Sequence, residues 1–488
     1  MIRGCISLAL GILSFSIVHA QEYGVERSIQ GKVFIDRNEN GLQDKNERGL
    51  KDILISNGVD FVKTNAKGEF SICAKIGQSI FPILPSDYGL VSPKQSSVVN
   101  GLFYYLSPQK QSDQIISFAL KKQHVPTIFK IGAIGDVQVE NAEELTYASK
   151  SIFSELMNRK DINFNIFLGD LVNNVPELLD DVKNVIEELP QSSWTLVGNH
   201  DRNVSNQDAL NDVFNDNFGA DNYAFNYGNR HFIVLNNVFA TGKHAYEGRI
   251  SDEQLQFIKN DLSYVNKSTP IIISQHIPMM GVKNREMVFD LLKDYENVLI
   301  LSGHTHVVTR HIFKNGQIHE LGAGATCGTW WRGEKDSEGV PEALMHCGAP
   351  RGYFTVEFGK DTYDIKFKAV GMDTAKQMAL TLDSNSFVAN IYAGSDSSKV
   401  FIQVDNGEWL PMKKERKAAP QVVDIIAKNK NKVYPTANNT VNPLRVRNSS
   451  HIWTSPLTRN DKVKQTVIRI KASDNYGLDI QQEFVIGL

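Results

Sequence analysis

A layered α/β core flanked by two β-rich domains is the architecture this sequence predicts, and three observations carry it. Strands and amphipathic helices alternate from Ile128 to about Gly322, the signature of a layered α/β core. The segments on either side instead show short apolar alternations broken by Gly, Asn, Asp and Ser, as small sandwiches do. The length of 488 residues is more than one hydrophobic core holds and suits about three domains at roughly 150 residues each. Apolar residues make up 41% and charged residues 22%, with 35 Gly and 16 Pro, which excludes collagen-like, low-complexity and disordered classes. Lys plus Arg total 52 against 55 Asp plus Glu, a net charge of -3. No basic field is available to hold nucleic acid by its phosphates, so any phosphate handling must be local.

Residues 1–20 read as an export signal. Arg3 gives the positive start, Ile6 to Val18 is an almost unbroken apolar run, and Val18-His19-Ala20 is a small-x-small cleavage site before Gln21. The alternative is an uncleaved anchor, although the run is shorter than the ~20 residues a span needs. No second long apolar segment follows, so the expectation is an exported protein, periplasmic or secreted. The remaining cysteines, Cys73, Cys327 and Cys347, are too few for a disulfide scaffold. Cys327 and Cys347 close a short loop and are readable either as a pair or as buried thiols.

Residues 21–122 are expected to form a small antiparallel sandwich, from "IQGKVFIDRN", "LKDILISNG", "DFVKTNAKGEFSI", "FPILPS" and "DQIISFAL". Within it, Asp36, Asn38, Asn40, Gly41, Leu42, Asp44 and Glu47 fall at positions 1, 3, 5, 6, 7, 9 and 12 of a calcium loop. No amphipathic helix flanks it, so its calcium would be structural; the other reading is an Asn-Gly turn without metal. "KKQHVPT" reads as a linker.

The core, 127–321, begins with the strand "FKIGAIGD" and a helix placing Leu145, Ala148, Ile152 and Leu156 on one face. "FNIFLGD" is the next strand, followed by a helix carrying Leu178, Val182, Val185 and Leu189, then the strand "WTLVGNHD". "YAFNYG" and "HFIVLNN" read as strands, and Ser251-x-x-Gln254 as a capping box opening "DEQLQFIKNDL". "PIIISQH" and "NVLILSGH" read as buried strands, and "TRHIFKNGQIHELG" as a hairpin turning at Asn315-Gly316. From 322 to 488 a Gly- and Trp-rich stretch leads to "GYFTVEFGKDTYDIKFKAVG" and further short strands, with "QVVDIIAKN" read as a helix. The β domains could also provide contact with carbohydrate or a cell surface.

Each strong core strand ends in a polar cluster: Asp136-Val137-Gln138, Gly169-Asp170, Gly198-Asn199-His200-Asp201, His276 and Gly303-His304-Thr305-His306. Ligands of open α/β sheets bind at the carboxyl ends of strands, so the five tips converge on one crevice. Carboxylates, imidazoles and amide oxygens without thiolates suit two divalent cations of intermediate hardness, Mn, Fe or Zn. Asp170 is placed to bridge them. Two such ions acidify a shared water and neutralise a phosphoryl group under in-line attack, which points to hydrolysis of a phosphate ester.

At these residues the chain resembles the calcineurin-like metallophosphoesterase family, over roughly 128 to 310. The resemblance implies one metal on Asp136, Gln138, Asp170 and His306, and a second on Asp170, Asn199, His276 and His304. It also implies that His200 protonates or stabilises the leaving oxygen, with Asp201 orienting its ring. Gln138 stands where most members have His; its amide oxygen is harder and leans that metal towards Mg, Mn or Fe(II). "GTWWRGEKDSEGVPEALMHCGAPRGY" resembles the segment that joins the core to a C-terminal domain in an exported bacterial branch of the family. Trp330, Trp331 and Arg332 follow the metal hairpin closely enough to wall a substrate pocket, with Arg332 suited to phosphate; the two Trp residues are equally readable as plugs of the interdomain seam. The implied function is a phosphoesterase for a small phosphorylated substrate, a monoesterase ahead of a diesterase. An inert surface protein binding carbohydrate or a partner is the alternative from another class.

Overall fold

The computed structural model describes residues 23–91, 96–109, 115–383, 385–429, 444–457 and 465–487. The expected export signal, 1–20, lies outside the described residues. Among the described residues no helix is long and apolar enough to cross a membrane.

The core is built on two sheets. The first has the order Ser192–Thr195, Phe164–Phe167, Phe129–Ile134, Gly352–Phe358, Tyr363–Ala369. The second has the order Tyr223–Tyr227, Arg230–Val234, Ile271–Ser274, Val298–Ser302, Ile318–Ala323, Val308–Phe313. Central strands in both are parallel and buried, which explains why they read as unbroken apolar runs. Aromatic rings fill the space between the sheets: Phe164 meets Phe232 edge-on at 5.5 Å and Trp194 stacks on Phe225. Outside the first sheet lie Ala142–Met157 and Leu179–Glu187, contributing Ile152, Leu156, Val182 and Ile186 to a second core cluster. Outside the second lie Asp252–Leu262 and Arg285–Leu292, burying Phe257, Ile258, Val288 and Phe289. The first helix carries a π turn at Ser149–Phe153, and the predicted face survives it, with Ala148, Ile152 and Leu156 all buried.

Ser251 caps Asp252–Leu262 by accepting from the Gln254 amide. The other half of the predicted box is redirected: the Gln254 side chain bonds both backbone groups of Asn236 and ties the helix to the end of Arg230–Val234. The Asn315-Gly316 hairpin forms as expected, with Asn315 at φ 55° and Gly316 at φ 99°.

The expected boundary at 321/322 does not close the core structurally. Gly352–Phe358 pairs antiparallel with Phe129–Ile134, Phe354 facing Ala133, and Tyr363–Ala369 extends that sheet. A parallel sheet ending at Phe129–Ile134 would leave an unpaired edge; chain from beyond residue 350 covers it. The rest of the C-terminal region forms two antiparallel four-stranded sheets as expected, and Pro420–Asn429 is the expected helix.

The N-terminal domain also has two four-stranded sheets, but it is not wholly antiparallel. Its first strand, Glu26–Ile35, pairs parallel with its last, Ile116–Lys122. Pairing of the two ends of a domain is non-local and leaves no mark in apolar alternation.

The C-terminal domain is locked to the core by an ion pair without solvent. Arg310 bonds Asp474 at 2.7 Å, both side chains fully buried, and also reaches the carbonyls of Ala393 and Tyr476. Replacing Arg310 with Ala leaves the Asp474 charge buried, and is expected to cost about 3–5 kcal/mol. The check is a lowered melting temperature of the full chain relative to an exposed control such as Lys413→Ala.

Candidate metal centre

Asp136, Asp170, Asn199, His276 and His304 each follow the carboxyl end of a parallel strand, and the two sheets bring these ends together. Two glycines hold space there. A Cβ on Gly198 would lie 2.1 Å from Asp170 Oδ1, and one on Gly303 2.5 Å from Asp136 Oδ1. The sharp turning falls on Gly169, at φ 83°, and on the polar residues themselves: Gln138, Asp170, His304 and His306 have φ of 45°, 50°, 72° and 51°. Such backbone costs about 1–3 kcal/mol per residue and is concentrated at functional sites.

His276 is the centre of one donor set. Its Nδ1–H donates to the Leu168 carbonyl at 2.8 Å, which leaves Nε2 with a lone pair. That lone pair faces Asn199 Oδ1 at 3.0 Å, Asp170 Oδ2 at 3.1 Å and His304 Nδ1 at 3.2 Å. The Asp170, His276 and His304 donor atoms all lie within 4.8 Å of one another. A second set repeats the logic: His306 Nδ1–H donates to Gly328 O at 2.6 Å, and Nε2 faces Asp136 Oδ2 at 3.2 Å. That carboxylate oxygen is buried and receives no hydrogen bond. Lone pairs converging in a buried cleft require positive charge between them, so these residues fit divalent cations.

The electrostatics agree. Burial works against an imidazolium at His276, yet the Asp170 charge raises its pKa to about 9, so that without a cation a proton takes the Nε2 lone pair and stands where a metal would. Burial also works against the Asp170 carboxylate, but the His276 and His200 charges hold it well below the usual range.

All seven expected ligands lie at this cleft. Gln138 belongs to the His306 side: its backbone N–H donates to the Asp170 carbonyl at 2.8 Å, and its Oε1 is 3.8 Å from Cys327 Sγ, which is 3.8 Å from His306 Nδ1. His200 donates its backbone N–H to Asp170 Oδ1 at 2.8 Å, while its ring Nδ1 is buried without a protein partner.

Two expectations need correction. Asp201 does not orient the His200 ring: Oδ1 accepts from Leu171 and Val172 and Oδ2 from Gly198, at 2.7, 3.0 and 2.8 Å. It instead ties two metal loops together. Trp331 is no pocket wall; it is 3% exposed, with its indole N–H on the Val137 carbonyl at 2.8 Å. Of the two readings open for Cys327 and Cys347, the structure has the buried thiols. Trp330 does border the cleft, its ring 5.2 Å from that of His306, and Arg332 sits at the rim 3.7 Å from Glu140.

Tyr246 and Arg202 also border the centre, though neither belongs to a strand-tip cluster of the sequence. Tyr246 lies edge-on to His304 at 6.2 Å and helps line a cavity of about 340 Å³ beside it, and Arg202 lies 5.2 Å over the Tyr246 ring. Arg202 directly follows Asn199-His200-Asp201 and could have been found by adjacency. Tyr246 opens the short strand Tyr246–Gly248, which pairs with Val238–Ala240, and carried no signal in the sequence. A larger cavity, about 990 Å³, opens at the opposite ends of the strands beside Pro270 and Val298, away from every candidate ligand.

Residues 129–308 match the family profile described as calcineurin-like phosphoesterase, 37–123 its N-terminal companion and 320–479 its C-terminal companion. The chain belongs to the calcineurin-like phosphoesterase family. It is therefore a hydrolase of phosphate ester bonds, and the family membership implies divalent metal ions. No protein with a curated description matches it. Among solved structures, a purple acid phosphatase from yellow lupin (Lupinus luteus) seeds aligns at 14% identity and TM-score 0.37, covering 70% of this chain and 71% of that one. The spore cortex lytic enzyme of Clostridium perfringens aligns at 12% identity and TM-score 0.17, covering 75% of this chain and 100% of that one.

Proposed function

We propose that this phosphoesterase is an exported phosphomonoesterase working with two divalent cations of the Mn, Fe, Zn or Mg group. The observation that carries the reading is the ring of lone pairs around His276 Nε2, together with the parallel arrangement at His306. Asp170, Asn199, His276 and His304 would hold one ion, and Asp136, Gln138, Asp170 and His306 the other. Bound together, such ions supply hydroxide at neutral pH and offset the charge of the phosphoryl group. The Leu168 and Gly328 carbonyls fix both imidazoles in the tautomer that presents Nε2. Asp201 holds the Gly198 and Leu171 loops at a fixed spacing, and the His200 ring is free to give a proton to the leaving oxygen. Export rests on the apolar run and cleavage pattern of residues 1–20.

The test strips the purified protein with chelator, reloads it with each metal, and measures stoichiometry beside turnover of monoester and diester panels. Two ions per chain and preferred monoester turnover are expected. Preference for diesters would make it a diesterase, and no turnover with any metal would leave an inert surface protein.

The loop at Asp36 is proposed to hold a structural calcium. Asp36 is buried and accepts from the amides of Glu39 and Gly41, and Glu47 closes the coil by accepting from Arg37 and Asp44. The Asn38 and Asn40 side chains both converge on Asp44 Oδ2. Calcium is expected to raise the melting temperature, since a ligand of the folded state alone stabilises it. Glu47→Gln should largely remove that shift while turnover stays the same; an equal calcium response in the variant refutes the assignment.

A further inference from the structure

We infer that the C-terminal domain supplies an anion subsite beside the metal cleft, and that the substrate is a small organic phosphate bearing a second phosphate group. The inference rests on the phosphoesterase reading above. A cavity of about 280 Å³ opens next to His306, lined by Val307 of the metal loop, by His346, and by Arg416, Arg447, Ser449 and Ser450 of the C-terminal domain, with Cys347 and Asn448 completing it. Among the described residues no carboxylate lines it. Neither guanidinium has a hydrogen bond or ion pair among the described residues; the acid that feels Arg416 is Asp396, whose carboxylate is bonded to Lys414 at 2.7 Å.

Neighbouring chain segments bring the two arginines to one space. Lys413–Ala418 pairs with Asn448–Pro456, and the register slips between Glu415 and Lys417, so that Ser450 and His451 stand opposite the single residue Arg416. A bulge of this kind bends the strand that carries it and strengthens the local twist. That strand begins one residue after Arg447, and Arg416 and Arg447 both line the one cavity. His346 faces the same space with a buried Nδ1 that has no partner among the described residues, and burial together with the Arg447 charge holds its imidazole below the usual range. Uncompensated positive charge gathered on a protein of net charge -3 is unfavourable unless an anion offsets it. Paired guanidinium groups, hydroxyls and an imidazole are the donor set for a tetrahedral oxyanion. The position one residue beyond His306 puts that anion within the reach of a small molecule whose scissile phosphate lies at the metals.

The test compares fructose 1,6-bisphosphate with fructose 6-phosphate, in wild type and in an Arg416→Ala/Arg447→Ala variant. Both residues are exposed, so the substitutions carry little folding cost. The KM ratio of monophosphate to bisphosphate is expected to fall by about tenfold or more in the variant, the worth of a lost charged hydrogen bond, and Arg447→Lys alone should fall less. An unchanged ratio overturns the inference. A second arm does not depend on catalysis: inorganic phosphate is added to chelator-treated protein, in which the carboxylates of the cleft repel anions. Phosphate should raise the melting temperature of wild type and not of the variant. Should neither ester turn over, a shift lost in the variant upholds the subsite while the phosphoesterase reading falls; an identical response in both proteins removes the subsite.

Discussion

Asp170→Asn is expected to abolish turnover by about 10³-fold or more, since each 1.4 kcal/mol of lost transition-state stabilisation is about tenfold and a bound ion supplies several kcal/mol. Asp170 is the one side chain shared by both proposed donor sets. One oxygen lies 3.1 Å from His276 Nε2, and the other accepts the His200 amide at 2.8 Å. An amide has the same shape but one acceptor. With its oxygen towards His200, its NH₂ points into the cation position; flipped, it sets donor against donor at His200. Either way the bridge loses its charge, and two cations would be left without the carboxylate that offsets their repulsion. The fold should survive, because the surrounding strands are held by apolar packing between the sheets. The measurement is metal per chain beside turnover of a nitrophenyl phosphate. Activity retained within about tenfold, roughly 1.4 kcal/mol, would sink the two-metal assignment.

The tips that carry this centre were legible because each is an apolar run ending abruptly in Gly or a polar residue, a pattern with few meanings in an α/β core. The layered core, its hairpin and the β-rich flanks followed from the same local periodicities. What the sequence hid was non-local. Adjacency of Asp201 to His200 suggested contact between their side chains, but a turn points neighbours apart, and three amide donors claimed the carboxylate. Trp331 stood beside an arginine in a Gly-rich stretch and looked like a pocket wall, whereas its indole N–H had to find an acceptor and found Val137. The strand pair 352–369 read as the start of a separate domain because nothing in its alternation tells which sheet it joins. The carbonyls of Leu168 and Gly328, which set both imidazole tautomers, belong to the backbone and leave no trace in side-chain identity.

The structure sharpens what is expected of His200→Ala. The residue touches the metal centre through its backbone N–H, on Asp170 Oδ1, and alanine keeps that bond. Metal content should therefore not change. The ring is another matter: its Nδ1 is buried without a protein partner, and with Asp201 engaged elsewhere no carboxylate orients it. An imidazole held only by its backbone can serve as a proton donor whose partner is the substrate. Removing it should slow hydrolysis of esters with poor leaving groups by about 10²–10⁴-fold, the usual worth of general acid catalysis. Nitrophenyl esters, whose leaving oxygen needs little protonation, should lose much less. Because Asp201 is not the ring's partner, Asp201→Asn should not reproduce this leaving-group dependence; it should weaken the loop spacing and lower both rates together. Paired rates for alkyl and nitrophenyl esters across the two variants decide the matter. An equal loss for both ester types in His200→Ala would mean that the ring acts on the bound phosphate and not on the departing oxygen.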